Sequence, residues 1–432
     1  PRRARRGAPG AGAARSGGPT AAGLLSLRPL CAAASERSKA QEWRQALALL
    51  ARATALGLRS DVVSCSILVG LCRHGSQWQR ALDVLAEILG SGLKLDLVLC
   101  TSVISVCEKS GQHERALDVF RRLQASRMKL NTVAYSSAIS ACSRVGDWER
   151  ALEFLGEMVD SAVKLDVVSL SSAIHACGKG QEAMRGLDLL KAMPAKRVQA
   201  NVISYGAAVS ACERQGLWEW ALHLLQTMGR VGIRPSAVAL NAAISACGRG
   251  AQWEWALGLL CTSRWMAVQL TVISCNAAIT ACERGGQWQQ ALGLLAGMGA
   301  WRLGPNAVSC NAAISACEKC GRWQAALSLL GCMEAEGPAP GAVAYDAALL
   351  ALSRSRAWQH GLALLERKAE RGLPQARNAL SAALRLLSEP GVPLRSAGRG
   401  LWLCGRGPGP LSRLELEAAA RRLEAALAGR PA

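Results

Sequence analysis

Aromatic residues other than tryptophan are scarce in this sequence of 432 residues, which contains only two Phe and three Tyr. Ala, Leu and Gly dominate instead, and they suit closely packed short helices better than the strands of a β-sandwich. Long apolar runs are also missing, since no stretch of about 18 uncharged apolar residues occurs, so we expect no transmembrane helix. The composition therefore favours an all-α protein with no membrane partner.

Acidic residues are outnumbered by basic ones, 31 Asp and Glu against 51 Lys and Arg, which gives a formal net charge of +20. Such a surplus favours polyanionic partners. Residues 1–26 contain no acidic residue and are rich in Arg, Ala, Gly and Pro, so they predict a disordered basic leader. The same composition resembles an organelle transit peptide, and both readings stay open. Because the sequence begins at Pro1 rather than Met, we expect part of such a signal to be missing.

Catalytic and metal-binding patterns are also absent from the sequence. The five His residues have no metal-ligand spacing with one another, and the single C-x-x-C at Cys317 and Cys320 lacks a second pair. The H-x-E and P-C-x-x-C signatures of a zinc deaminase do not occur. We therefore expect a protein without enzymatic activity, cofactor or bound metal.

An internal repeat of 35 residues organises most of the chain. Its markers are a Cys and a Trp that each recur at this spacing, with His113 and Ala183 in place of two of the Trp residues. The periodic cysteines are Cys72, Cys107, Cys142, Cys177, Cys212, Cys247, Cys282 and Cys317. A Cys at one position per repeat behaves as a small buried hydrophobe, so we expect reduced thiols rather than disulfides. The pattern predicts a degenerate repeat at 27–61 and nine good repeats over 62–376.

Each repeat has the pattern of a helical hairpin. In the repeat that starts at Val272, apolar residues from Cys275 to Cys282 predict a first amphipathic helix, helix A. Gly285 and Gly286 then break the chain, and a second apolar stripe from Trp288 predicts helix B. The Trp residues are interpreted as core. A hairpin of this size cannot bury its apolar faces alone, so the repeats must stack into an α-solenoid.

The sequence of these repeats, as in AVSCNAAISACEKCGRWQAALSLLGCM from Ala307, resembles the pentatricopeptide repeat family. The uniform 35-residue length resembles its P class. The resemblance implies an all-α fold, a right-handed α-solenoid of tandem 35-residue helical hairpins. It also implies sequence-specific binding of single-stranded RNA, one base per repeat, in a chloroplast or mitochondrion, with the chloroplast favoured. The expected role is stabilisation, processing, splicing or translation of an organelle RNA.

Position 13 of the repeats, counted from starts at 62, 97 and every 35 residues thereafter, is basic in eight of nine cases. One cation per repeat matches a phosphate backbone with one charge per nucleotide. A cation that meets the C-terminal dipole of helix A is the alternative. The candidate phosphate-binding residues are Lys109, Arg144, Lys179, Arg214, Arg249, Arg284, Lys319 and Arg354.

Two further positions are implied by the resemblance to select the base, namely position 5 and the last residue of the repeat. The candidates are Ser66, Asp96, Thr101, Asn131, Ser136, Asp166, Ser171, Asn201, Asn241, Thr271, Asn276, Asn306 and Asn311. Position 2 is implied to wedge against the base. Its residues are Val63, Val98, Val133, Val168, Ile203, Val238, Ile273, Val308 and Val343. Helix-start packing for position 2 and an ordinary cap for the last residue are the alternatives.

The family's pairing code, carried over to these positions, predicts an RNA near 5′-GAGA-N-YY. Ser66 with Asp96 and Ser136 with Asp166 imply G, whereas Thr101 with Asn131 and Ser171 with Asn201 imply A. Asn241 with Thr271 and Asn276 with Asn306 imply pyrimidines. Three pairs depart from the favoured combinations: Gly206 with Ser236, Asn311 with Gly341, and Asp346 with Ala376.

The C-terminal region predicts a half repeat at 377–388, a Gly-, Pro- and Arg-rich linker at 389–410 and a helix at 411–432. That helix is expected to cap the array or to contact a protein partner. Two other functions therefore stay open. One is a protein-binding helical-repeat scaffold, and the other is an accessory subunit that recruits a separate RNA-processing enzyme.

Overall fold

The computed structural model of the protein describes residues 65–66, 69–70, 72, 77–90, 96–126, 128–263, 268–335 and 337–373. Within these ranges the chain forms helices and no strand, so the all-α prediction is confirmed. The predicted leader at 1–26, the degenerate repeat at 27–61 and the C-terminal elements at 377–388, 389–410 and 411–432 lie outside the described residues. No helix in the described part is long and apolar enough to cross a membrane.

Seventeen helices of two kinds alternate along the described chain. The A helices are α2 (Leu97–Lys109), α4 (Thr132–Val145), α6 (Val167–Lys179), α8 (Val202–Gln215), α10 (Ala237–Arg249), α12 (Val272–Arg284), α14 (Ala307–Lys319) and α16 (Ala342–Arg354). The B helices are α1 (Trp78–Gly90), α3 (His113–Ala125), α5 (Trp148–Asp160), α7 (Ala183–Ala192), α9 (Trp218–Arg230), α11 (Trp253–Thr262), α13 (Trp288–Ala300), α15 (Trp323–Ala335) and α17 (Trp358–Glu370).

The chain divides into two compact units, Pro1–Arg144 and Val145–Ala432. In the first unit, α2 packs against both α1 and α3. In the second unit, the A helices from α6 to α16 pack each against its neighbour in sequence order, and the B helices from α7 to α15 pack against the A helices before and after them. Helix α5 packs against α6, and α17 packs against α16. This second unit is therefore an α-solenoid of stacked hairpins, as the 35-residue repeat predicts.

The turn between helices A and B needs a left-handed residue at position 15 of each described repeat. Gly supplies it at five of these turns, as at Gly216 and Gly286, with φ of 70° and 67°. Gly populates this region without the steric cost that a Cβ brings. Gln181, Ala251 and Arg356 adopt the same conformation with φ between 56° and 61°. The turn geometry is thus kept even where the residue that favours it is absent.

Small residues let neighbouring A helices approach closely. A Cβ added at Gly178 would lie 2.7 Å from the Cβ of Ala211, and one added at Gly248 would lie 3.2 Å from that of Ala281. In both pairs the Gly is at position 12 of one repeat and the Ala is at position 10 of the next. The abundance of Ala and Gly therefore serves the contact between repeats.

The eight periodic cysteines are buried and free, which confirms their interpretation as packing residues. Burial raises the pKa of Cys107, Cys177, Cys247, Cys282 and Cys317 to about 11, and that of Cys212 to about 12. Since the thiolate is the nucleophile and metal ligand, these thiols are chemically inert in the folded state.

Candidate nucleic-acid interface

Adjacent A helices of the second unit keep one register. Residues 33 apart contact each other between position 5 of one repeat and position 3 of the next, as in Asn241 with Ser274 and Asn276 with Ser309. The hydroxyl groups of Ser171 and Ser204 make the same contact at 2.8 Å. A constant register places equivalent positions of successive A helices on one shared face. Residues at positions 2, 5 and 13 therefore each form a row along that face.

The row at position 2 consists of apolar side chains that the fold leaves in solvent. In the second unit the exposed residues of this row are Val168, Ile203, Val238, Ile273, Val308 and Val343. In the first unit, Val98 and Val133 are exposed at the same position of their repeats. Their exposure runs from 57% at Val133 to 69% at Ile203. Packing at the helix start would bury these side chains, so the alternative reading of position 2 does not describe them. Val63 lies outside the described residues.

In the repeats that the structure describes to their end, the last residue is the N-cap of the next A helix. Its side chain accepts hydrogen bonds from backbone N–H groups of the first turn in seven repeats, and Gly341 has no side chain to do so. The capping residues are Asp96, Asn131, Asp166, Asn201, Ser236, Thr271 and Asn306. Capping uses one oxygen of each side chain and fixes its direction. The last residue is thus an ordinary helix cap, as the alternative interpretation predicts. The second polar atom of each Asp and Asn side chain is not used by the cap.

Position 5 falls into two groups. Thr101, Ser136 and Ser171 are buried. The first two donate to carbonyls one turn earlier, Thr101 Oγ1 to Val98 O at 2.9 Å and Ser136 Oγ to Val133 O at 3.1 Å. The amides at Asn241, Asn276 and Asn311 are half-buried. Asn276 and Asn306, the two residues predicted to select one pyrimidine, come together, with Asn276 Nδ2 donating to Asn306 Oδ1 at 3.4 Å.

The repeat that starts at Ala342 has a different arrangement at position 5. The carboxylate of Asp346 pairs with Nζ of Lys368, whose side chain is fully buried. Burial raises the pKa of Asp346, and the hydrogen bond and charge of Lys368 act against that rise. Lys368 occupies the helix B position that Met298 and Met333 fill in the two preceding repeats. Asp346 is thus held by an internal partner, and its departure from the favoured base-selecting pairs has a structural cause.

The basic residues at position 13 lie at the C-terminal ends of the A helices, and some of them form ion pairs with acidic residues. Lys319 Nζ lies 2.9 Å from Glu283 Oε1, and Arg354 Nη2 lies 3.0 Å from Glu318 Oε1. Each glutamate is at position 12 of the preceding repeat, 36 residues earlier. These partners were not predicted from the sequence, although an acidic residue at position 12 recurs at Glu108, Glu213, Glu283 and Glu318. The row therefore also serves to join neighbouring repeats.

Arg284 differs from these paired cations. The residue 36 positions earlier is Gly248, which has no side chain to offer. Within the described ranges no carboxylate lies within 4 Å of the Arg284 guanidinium, and the residue is exposed. Its charge is therefore available to an anionic ligand in a way that those of Lys319 and Arg354 are not.

The Trp at the start of helix B packs against the next repeat. The Arg185 guanidinium lies 4.3 Å from the ring centre of Trp148, and the rings of Trp323 and His360 lie 4.8 Å apart. Trp288 and Trp323 also contact the buried core clusters. These Trp residues are half-buried and pack at the edge of the core, so the structure supports a packing role for them and not full burial. In the described part of the chain, no group of three His, Cys, Asp or Glu could hold a metal ion.

Comparisons with known proteins give consistent matches. Three family models match: the PPR repeat family at residues 130–179, the pentatricopeptide repeat domain at 83–142 and 188–250, and the PPR repeat at 308–338. No curated protein matches the sequence.

Solved structures that share the fold include two of a pentatricopeptide repeat protein. The pentatricopeptide repeat protein PPR10 in complex with an 18-nt psaJ RNA element is 16% identical, with a TM-score of 0.61 over 93% of this chain and 60% of that chain. PPR10 from maize is 20% identical, with a TM-score of 0.51 over 93% of this chain and 70% of that one. This chain thus spans about 60% of the length of the RNA-bound PPR10 chain.

Proposed function

Since the chain belongs to the pentatricopeptide repeat family, we propose that it binds single-stranded RNA in a sequence-specific manner, one base per repeat, along the exposed face of its A helices. PPR10, which shares the fold, is described in complex with an RNA element. The protein itself carries out no catalysis in this proposal. It acts as a P-class member on an organelle transcript, in a chloroplast or mitochondrion, through stabilisation, processing, splicing or translation.

The row of exposed apolar residues at position 2 is the observation that carries the proposal. A soluble protein exposes single apolar side chains often, but an ordered row of them at one position marks an interaction surface. Flat, stackable bases are ligands that such branched side chains can cover on both sides. Each helical hairpin contributes one such residue, and this regular spacing fits a ligand that is itself a regular chain.

The N-caps supply the polar part of the recognition. An Asp that caps with one carboxylate oxygen, as Asp96 and Asp166 do, has its other oxygen left as an acceptor. An Asn that caps through Oδ1, as Asn131 and Asn201 do, has its NH₂ group left as a donor. Acceptors and donors at the same place in successive repeats distinguish base edges. This polarity supports the predicted order 5′-GAGA-N-YY.

The basic row then holds the phosphates, and its contribution is unequal along the chain. We expect Arg284→Gln to reduce the dependence of log Kd on log salt by about 0.7, the value for one phosphate contact on a single strand. Lys319→Gln is the matched change and is expected to have a smaller effect, because Glu283 already pairs with Lys319. Fluorescence anisotropy with a labelled GAGAAUU RNA at several salt concentrations measures both slopes.

Three results would count against this account of RNA binding. An affinity that does not change with salt concentration would show that the basic residues do not contact phosphates. Equal effects of the two substitutions would show that the pairing with Glu283 does not matter for the ligand. Binding to no RNA at all would favour the protein-binding scaffold.

A further inference from the structure

The hydroxyl of a serine at position 3 contacts the position 5 amide of the preceding repeat. Ser274 Oγ donates to Asn241 Oδ1 at 2.6 Å, and Ser309 Oγ donates to Asn276 Oδ1 at 2.5 Å. Both serines are fully buried. The contact therefore crosses the boundary between two repeats and is partly shielded from water.

This contact decides which end of the amide faces outward. An Asn side chain can rotate by half a turn and exchange its acceptor for its donors. A donor fixed on Oδ1 stabilises one of the two orientations and leaves Nδ2 to meet the ligand. In Asn241 and Asn276, the group offered to a base is then a hydrogen-bond donor only.

The same hydroxyl also contacts the N-cap of its own helix. Ser309 Oγ lies 3.0 Å from Asn306 Oδ1, and the backbone N–H of Asn306 donates to Ser309 Oγ at 3.3 Å. Asn276 Nδ2 in turn donates to Asn306 Oδ1. Ser309 therefore holds together the two side chains that the proposed function assigns to one base.

Of the three repeats that follow an Asn at position 5, one lacks this serine, and the preceding amide shows the consequence. The residue at position 3 after Asn311 is Ala344, which has no hydroxyl. Asn311 Oδ1 is buried and has no hydrogen-bond partner among the described residues. An unsatisfied buried oxygen costs free energy, and without a hydroxyl at position 3 no hydrogen bond from the next repeat favours this orientation of the amide.

We infer that the serine at position 3 is a positioning residue for base selectivity, and that the selectivity of one repeat depends on a residue of the next. The inference rests on the proposed function and adds a residue outside the pair that the family code uses. Ser274 and Ser309 make Asn241 and Asn276 selective for a base that presents an acceptor. Asn311, without such a serine, is unselective.

The substitution Ala344→Ser tests the inference by a gain of selectivity. The new hydroxyl is expected to donate to Asn311 Oδ1, as Ser309 does to Asn276. The eighth base, opposite Asn311, should gain a preference for pyrimidines of about three- to tenfold, the range expected for one hydrogen bond. Ala239→Ser is the matched control, because position 5 before it is Gly206, which has no amide to orient. It should leave base preference unchanged at every site.

Selection from a random RNA pool, followed by sequencing, gives the preference at each base for both variants and the unchanged protein. Ser309→Ala tests for a loss of selectivity. The protein should lose its preference at the seventh base, opposite Asn276, and keep its preference at the first four bases. A rise in melting temperature of Ala344→Ser without any change at the eighth base would overturn the inference, since it would show a structural role only. If the unchanged protein selects no base anywhere, the proposed function fails, and this inference fails with it.

Discussion

Lys368→Met is expected to reduce the free energy of unfolding by about 3–5 kcal/mol, the typical cost of removing one partner from a buried ion pair. Lys368 is fully buried, and its Nζ pairs with Asp346. Without the lysine, the Asp346 carboxylate would stay in a site where burial already raises its pKa. Urea unfolding followed by circular dichroism measures the loss.

The destabilisation should also depend on pH. An acid whose folded pKa is raised above its unfolded value favours folding when protonated, and this advantage is lost as the pH rises through the folded pKa. Removal of Lys368 takes away the group that opposes the rise for Asp346. The deficit of Lys368→Met relative to the unchanged protein should therefore shrink at low pH.

The double variant Asp346→Asn with Lys368→Met is the matched control. It gives this repeat the combination found in the repeat before, Asn311 with Met333, where the methionine is buried. We expect it to recover most of the lost stability, because no charge is then left buried. A double variant as unstable as Lys368→Met would contradict the ion-pair explanation, as would a single variant of unchanged stability.

Replacing Val168, Ile203 and Val238 together by Ser is expected to weaken RNA binding by about 100-fold with little loss of stability. Each side chain that a base covers contributes about 1 kcal/mol at roughly 25 cal/mol per Å² of apolar surface. Three of them add to about 3 kcal/mol, or about two decades in Kd. Stability should change little because these residues are 58% to 69% exposed in the folded protein.

Val159→Ser with Val231→Ser provides the comparison. These valines are 51% and 60% exposed, and they lie on helix B and in the turn after α9 rather than on the A helices. RNA binding of this variant should equal that of the unchanged protein, as measured by anisotropy. A loss of affinity as large as in the position 2 variant would place the RNA elsewhere on the molecule.

The A and B helices could be predicted because each repeat carries its own local signals. An N-cap such as Asn306, an apolar stripe and a left-handed glycine such as Gly286 mark the bounds of each helix. The 35-residue period then shows which residues are equivalent. The exposure of position 2 is harder to predict from the sequence, because Val and Ile are residues that usually lie in a core.

The contacts between repeats could not be predicted in the same way. The pairs Asn276–Ser309 and Glu283–Lys319 are separated by 33 and 36 residues, and a period of 35 does not say which offset brings two side chains together. The register of stacked helices decides it. Lys368 did leave a signal in the sequence, since a lysine replaces a methionine at a core position and Asp346 appears at position 5 of the same repeat.

Selection of RNA by the full chain from a random pool tests the central claim most directly. The account predicts enrichment of 5′-GAGA-N-YY, with no preference at the fifth base, opposite Gly206, and pyrimidines at the sixth and seventh, opposite Asn241 and Asn276. A pool that stays unenriched, or an enriched sequence without this order of purines and pyrimidines, would contradict one-base-per-repeat recognition by the A helices.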